Sequence, residues 1–126
     1  MTEINNLSRF SVDLDLLLRT VEFVLKEEGC KGNISIAIIE KEEMHALNKQ
    51  CRGKDSATDV LSFSYLDGED LGEVIICPEE AKMGFYRVLV HGVLHVLGYE
   101  HSPEMEEKQE RYLSLLDSKI FNKIKE

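Results

Sequence analysis

Three of the four histidines in this chain fall within eleven residues, in the segment His91-Gly92-Val93-Leu94-His95-Val96-Leu97-Gly98-Tyr99-Glu100-His101. Residues four apart on a helix project from one face about one turn apart, so the His91 and His95 imidazoles can reach a single ion. Gly98 permits the positive φ that ends a helix and turns the chain back, which brings His101 round as a third ligand. Three imidazoles leave a tetrahedral ion one open position, the arrangement of a catalytic metal site rather than a structural one. The segment is otherwise nearly all apolar, and two unsatisfied imidazoles on one face of a buried helix would be costly. One zinc ion held by His91, His95 and His101 is therefore expected. His45, on a polar helical stretch, has no such company and reads as a surface residue.

The spacing H-x-x-x-H-x-x-G-x-x-H is that of metzincin proteases, in which a Glu beside the first ligand is the general base. Gly92 stands in that place here and can neither accept a proton nor orient water. Peptide hydrolysis by that route is not expected, though a zinc metalloprotease remains the nearest alternative on spacing alone. A second segment, Leu47 to Phe63, reads as a short helix, a cationic loop and a strand, with Lys49, Arg52 and Lys54 close together. Arg52 is a planar cation suited to bidentate contact with a phosphate.

The rest of the chain builds a frame for these segments. Ser11 reads as an N-cap before a helix with Leu14, Leu17, Leu18, Val21, Val24 and Leu25 at helical spacing, ended by Gly29 and Gly32. A strand is expected over Asn33 to Glu40, then a helix from Lys41 to Cys51 with Met44 and Leu47 inward. Two strands, Asp59 to Tyr65 and Leu71 to Cys77, flank the turn-like Asp67-Gly68-Glu69-Asp70 and suggest a hairpin. Pro78 suits a helix N1 position, and a helical run is expected to reach Leu97, with Gly84 as its point of interruption. Apolar residues lie on nearly every side of that run, so the helix should be central and buried. Ser102-Pro103 starts a last helix with Met105, Tyr112, Leu116 and Ile120 as its apolar stripe. The order αβαββαα predicts an α+β fold: a single domain over residues 1–126, with a small mixed sheet covered by helices and a zincin-like three-histidine site.

Composition narrows function further. A net charge of −9 argues against broad phosphate neutralisation and against a DNA-duplex binder, while leaving room for one local cationic site. The acidic surplus gathers at Asp67 to Glu73, at Glu79-Glu80 and at Glu100 to Glu110. The longest apolar stretch, Val88 to Leu97, is too short and too polar to span a bilayer. No signal-peptide pattern opens the chain, and three widely spaced cysteines, Cys30, Cys51 and Cys77, read as buried or half-buried free thiols. A cytoplasmic protein is expected.

Taken together, the histidine segment and the blocks Leu47-Asn48, Arg52-Gly53-Lys54-Asp55, Thr58-Asp59-Val60-Leu61-Ser62-Phe63 and Leu71-Gly72-Glu73-Val74-Ile75-Ile76 resemble the YbeY family, whose signature is H-G-x-L-H-L-x-G-Y-D-H. The resemblance runs over roughly residues 34 to 116. It implies a zinc-dependent endoribonuclease acting on single-stranded RNA, with His91, His95 and His101 as metal ligands and Arg52 as the active-site cation. It also implies a role in ribosomal RNA maturation, notably at the 3′ end of the small-subunit RNA, and in ribosome quality control. Partners would then be ribosomal RNA and the ribosomal small subunit or its assembly proteins, and a non-catalytic assembly factor is the second alternative. Cys51 replaces the family's usual aromatic residue, Ala57 its usual Pro and Glu100 its usual Asp, and the stretch from Pro78 to His91 is shorter than usual. Glu100 and Glu73 are the carboxylates available near these motifs to move protons, and Lys49 or Lys54 could steer the strand.

Overall fold

The computed structural model describes residues 2–116. Its elements are β1 (Thr2–Asn6), α1 (Leu14–Glu27), β2 (Asn33–Ile38), α2 (Lys41–Arg52), β3 (Val60–Asp67), β4 (Asp70–Ile76), α3 (Phe85–Val96) and α4 (Pro103–Leu116). The sheet runs β1-β2-β4-β3, with β1–β2 and β2–β4 parallel and β3–β4 antiparallel. The expected α+β class, mixed sheet and hairpin are all present. The order differs at the start, where β1 precedes α1. Thr2–Asn6 carries one aliphatic residue, Ile4, and pairs only with β2, so neither periodicity nor apolar content marks it as a strand.

Alternation in β2 sends Ile34, Ile36 and Ile38 to one face, where they are fully buried. Val74 and Ile76 of β4 join them, and Leu17, Val21, Val24 and Leu25 of α1 with Val88, Leu89, Val93 and Leu94 of α3 cover that face. Met105, Tyr112 and Leu116 of α4 complete the cluster; Ile120, the fourth residue of the expected stripe, lies outside the described residues. The opposite face is smaller, with Met44 of α2 over Leu61, Ile75 and Cys77.

Three local expectations shift. Asp13, not Ser11, caps α1: its carboxylate accepts from the Leu16 N–H at 3.0 Å, the i to i+3 reach that an N-cap needs. The apolar stripe turns accordingly, so that Leu16 is buried and Leu14 is 51% exposed. Pro78 opens only a single 3-10 turn, Pro78–Glu80, and α3 starts after Gly84. Ser102 caps α4 as expected, its hydroxyl accepting from the Met105 N–H at 3.2 Å. Of the thiols, Cys77 is buried and Cys30 half-buried, but Cys51 is exposed at the outer end of α2. Among the described residues no helix is long and apolar enough to cross a membrane.

Candidate metal centre

α3 is buried on almost every side, and His91 and His95 stand on its one half-buried line. Gly92, between them, faces the sheet. A Cβ there would lie 2.7 Å from Val74 Cγ1 and 3.1 Å from Val60 Cγ2, so position 92 is a backbone-to-sheet contact with no room for a side chain. Ser62 and Ser64 of β3 fasten the helix further, their hydroxyls donating to the Gly92 carbonyl at 3.1 Å and the Val96 carbonyl at 2.6 Å. Gly98 adopts φ +104° with open space where a Cβ would sit, so its backbone conformation, not crowding, requires glycine. The turn returns the Tyr99 N–H to the Leu94 carbonyl at 3.1 Å. It leaves His101 exposed beside the other two rings.

One nitrogen from each of His91, His95 and His101 lies within 4.8 Å of the others. The outer nitrogens of the first two are held in place. His91 Nδ1 is 2.8 Å from Gln109 Oε1, and His95 Nδ1 is 2.8 Å from the Tyr99 carbonyl oxygen. Both partners only accept, so each Nδ1 carries the proton and each Nε2 keeps its lone pair. Those two Nε2 atoms face each other at 3.0 Å. Lone pair against lone pair at that distance is repulsive unless a proton or a metal cation sits between them. Burial, above all, holds the His95 imidazole below its ordinary range, and the neighbouring His91 and His101 act in the same direction against the Tyr99 carbonyl. A proton is thus the poorer occupant. Three converging imidazoles, two with their tautomers fixed from outside, suit a divalent metal ion.

Two clefts, each about 560 Å³, meet at His91. The first lies against α4 and is lined by Met83, Arg87, His91, His101, Glu106 and Gln109 among others. Its arginine is occupied by the Glu110 carboxylate. The second runs beside the outer strand β3 and brings Arg52, Thr58 and Ser62 together with His91 and His95. Arg52, the last residue of α2, therefore shares a cleft with two of the histidines, although thirty-nine positions separate it from His91 in the chain. The loop after it is tied down by Asn48, whose amide donates to the Ser56 carbonyl at 2.8 Å. Lys49 and Lys54 line neither cleft, and His45 pairs with Asp55 on the surface.

The two carboxylates considered from sequence are elsewhere. Gly72 and Val74 of β4 face α3, so Glu73 between them points to the other face, where the Tyr65 hydroxyl donates to it at 2.8 Å. Glu100 is exposed and lines neither cleft. Asp59, which lines both clefts, and Glu106, 3.7 Å from His101 Nε2, are the acids beside the histidines. Asp59 and Gln109 carried no spacing signal, because 32 and 18 positions separate them from His91, and Glu106 follows His101 by five positions across the start of α4.

Comparison with known proteins agrees with this geometry. Residues 3–125 match the family profile described as Endoribonuclease YbeY. An Endoribonuclease YbeY of Carboxydothermus hydrogenoformans is 40% identical over 139 aligned positions, covering 92% of this chain and 97% of that protein. The alignment is longer than this 126-residue chain, so that relative carries residues this chain lacks. An Endoribonuclease YbeY of Thermotoga maritima is 33% identical over 117 residues, 79% of this chain and 78% of its own length. The solution structure of a Thermotoga maritima protein superposes with a TM-score of 0.70 at 29% identity, covering 98% of this chain and 93% of that one. The chain belongs to the YbeY endoribonuclease family.

Proposed function

We propose that this protein is a zinc-dependent endoribonuclease that cuts single-stranded RNA in the cytoplasm, as one hydrolase domain over residues 1–126. The observation that carries this reading is the convergence of the His91, His95 and His101 imidazoles, with Arg52 sharing a cleft with the first two. His91, His95 and His101 would hold the zinc ion. When bound, zinc supplies Lewis acidity toward a phosphoryl oxygen and lowers the pKa of water to about 7. Gln109 and the Tyr99 carbonyl keep the His91 and His95 lone pairs directed at that position. Arg52 donates its fixed pair of N–H groups to the phosphate and offsets the negative charge that grows there during cleavage. A substrate strand that enters one local cationic cleft, rather than an extended basic face, suits a chain of net charge −9. The family resemblance points to ribosomal RNA as the substrate, notably the 3′ end of the small-subunit RNA, and to ribosome quality control. The protease alternative is disfavoured by Gly92, which packs on the sheet where that chemistry needs a carboxylate.

The test is metal analysis of the purified protein joined to a cleavage assay on single-stranded RNA, with and without chelator. Cleavage should stop on chelation and return with zinc, and His95→Ala should lose both metal and cleavage. Undiminished cleavage by the metal-free protein would sink the reading.

A further inference from the structure

The Glu28 side chain is 7% exposed and lies outside both clefts, yet it has more side-chain hydrogen-bond donors than any other carboxylate described here. It sits at the C-cap of α1. The Tyr99 hydroxyl donates to its Oε1 at 2.6 Å, Lys108 Nζ donates to its Oε2 at 3.0 Å, and the Tyr112 hydroxyl donates to the same Oε2. Lys108 also stands 5.2 Å from the centroid of the Tyr99 ring.

Each of these partners leads to a histidine. Tyr99 holds Glu28 with its hydroxyl and accepts from His95 Nδ1 with its own backbone carbonyl. Lys108 and Tyr112 are on α4, the helix that carries Gln109, whose Oε1 faces His91 Nδ1. Both atoms that fix the imidazole tautomers are thus anchored, one residue or one helix away, on the same carboxylate. A charge this enclosed tolerates little displacement of its donors, because an unpaired buried carboxylate is costly. Of the three elements it joins, the turn after α3 and α4 carry the acceptors that orient His95 and His91, and α1 carries the carboxylate that holds both.

We infer that Glu28 is the positioning residue of the metal centre: through Tyr99 and α4 it sets the orientation of His95 and His91 without touching the ion or the substrate. The inference rests on the metal-ligand reading of the three histidines. Loss of such outer contacts lowers metal affinity by about 10–100-fold in metal sites generally.

The experiment measures zinc affinity by competition with a chromogenic chelator, and the visible spectrum of the cobalt(II)-loaded protein, for wild type, Glu28→Gln and Tyr99→Phe. Both are read well below the melting temperature of each variant, so that loss of fold does not enter. Tyr99→Phe keeps the backbone carbonyl and removes the hydroxyl that reaches Glu28 and its partner Lys108. The expected result is at least a tenfold weaker zinc affinity in both variants and a shifted cobalt spectrum. Wild-type affinity and spectrum in both folded variants would overturn the inference while leaving the metal centre intact. Failure of the wild type itself to bind zinc would instead overturn the reading on which it rests. If Glu28→Gln does not fold, Tyr99→Phe alone decides between these outcomes.

Discussion

An imidazole becomes a metal ligand only when its other nitrogen is told what to do. His91 and His95 receive that instruction from Gln109 and the Tyr99 carbonyl, each at 2.8 Å. The convergence of His91 and His95 is legible in the chain because a helix converts a spacing of four into one face. Gln109 is not legible, since its partner is eighteen positions back and reaches it only through the packing of α4 on α3. Arg52 is a similar case: its chemistry is plain from its residue type, but its place beside the histidines depends on how β3 lies along α3. Being exposed, Arg52 contributes little to the fold. Arg52→Ala should therefore keep its zinc content and melting temperature while RNA cleavage falls on the order of 100-fold or more. Cleavage close to the wild-type rate in that variant would remove Arg52 from the reaction.

Among the elements, α3 is the one most fully specified by sequence, since apolar residues on all sides admit only a central position. Its glycine carried a second meaning that local pattern could not show. Gly92 lets the helix backbone lie against Val60 and Val74, so Gly92→Ala should lower stability by about 1–3 kcal/mol. Chemical denaturation of the metal-free protein measures this, and an unchanged midpoint would mean that the sheet yields. The helix starts were less legible: Pro78 signals a start but the chain makes only one 3-10 turn, and β1 is too short and polar to announce itself. The elements joined at Glu28 also carry a pH dependence. Burial pushes its carboxyl up, but hydrogen bonds from Tyr112, Tyr99 and Lys108 outweigh this and hold it below the ordinary value of 4.5. A lowered folded value means stabilisation that is present above that pH and lost as pH falls through the folded value. The melting temperature of the wild type should thus drop on acidification below about pH 4.5. Glu28→Gln should be less stable at neutral pH and flatter in that range. Parallel curves for the two proteins would contradict the assignment.

For the whole molecule, a net charge of −9 and one cationic cleft set how RNA can be held. Each phosphate neutralised on a single strand contributes about −0.7 to the slope of log affinity against log salt. With Arg52 as the one basic side chain lining the second cleft, that slope should be no steeper than about −2 for a short single-stranded RNA. A much steeper slope would reveal a second basic surface.

The ring-orienting hydrogen bonds at Nδ1 of His91 and His95 belong to the tertiary packing, since their acceptors come from α4 and from the turn after α3. The orientation of those two rings is accordingly a property of the fold and not of the local segment alone. A zinc finger must collapse around its ion; here the buried core of the described residues, with Leu17, Ile34, Val93 and Tyr112 among its members, contains none of the three histidines. Fold and metal occupancy are therefore separable in this architecture, because the burial that drives folding lies in side chains other than the three histidines.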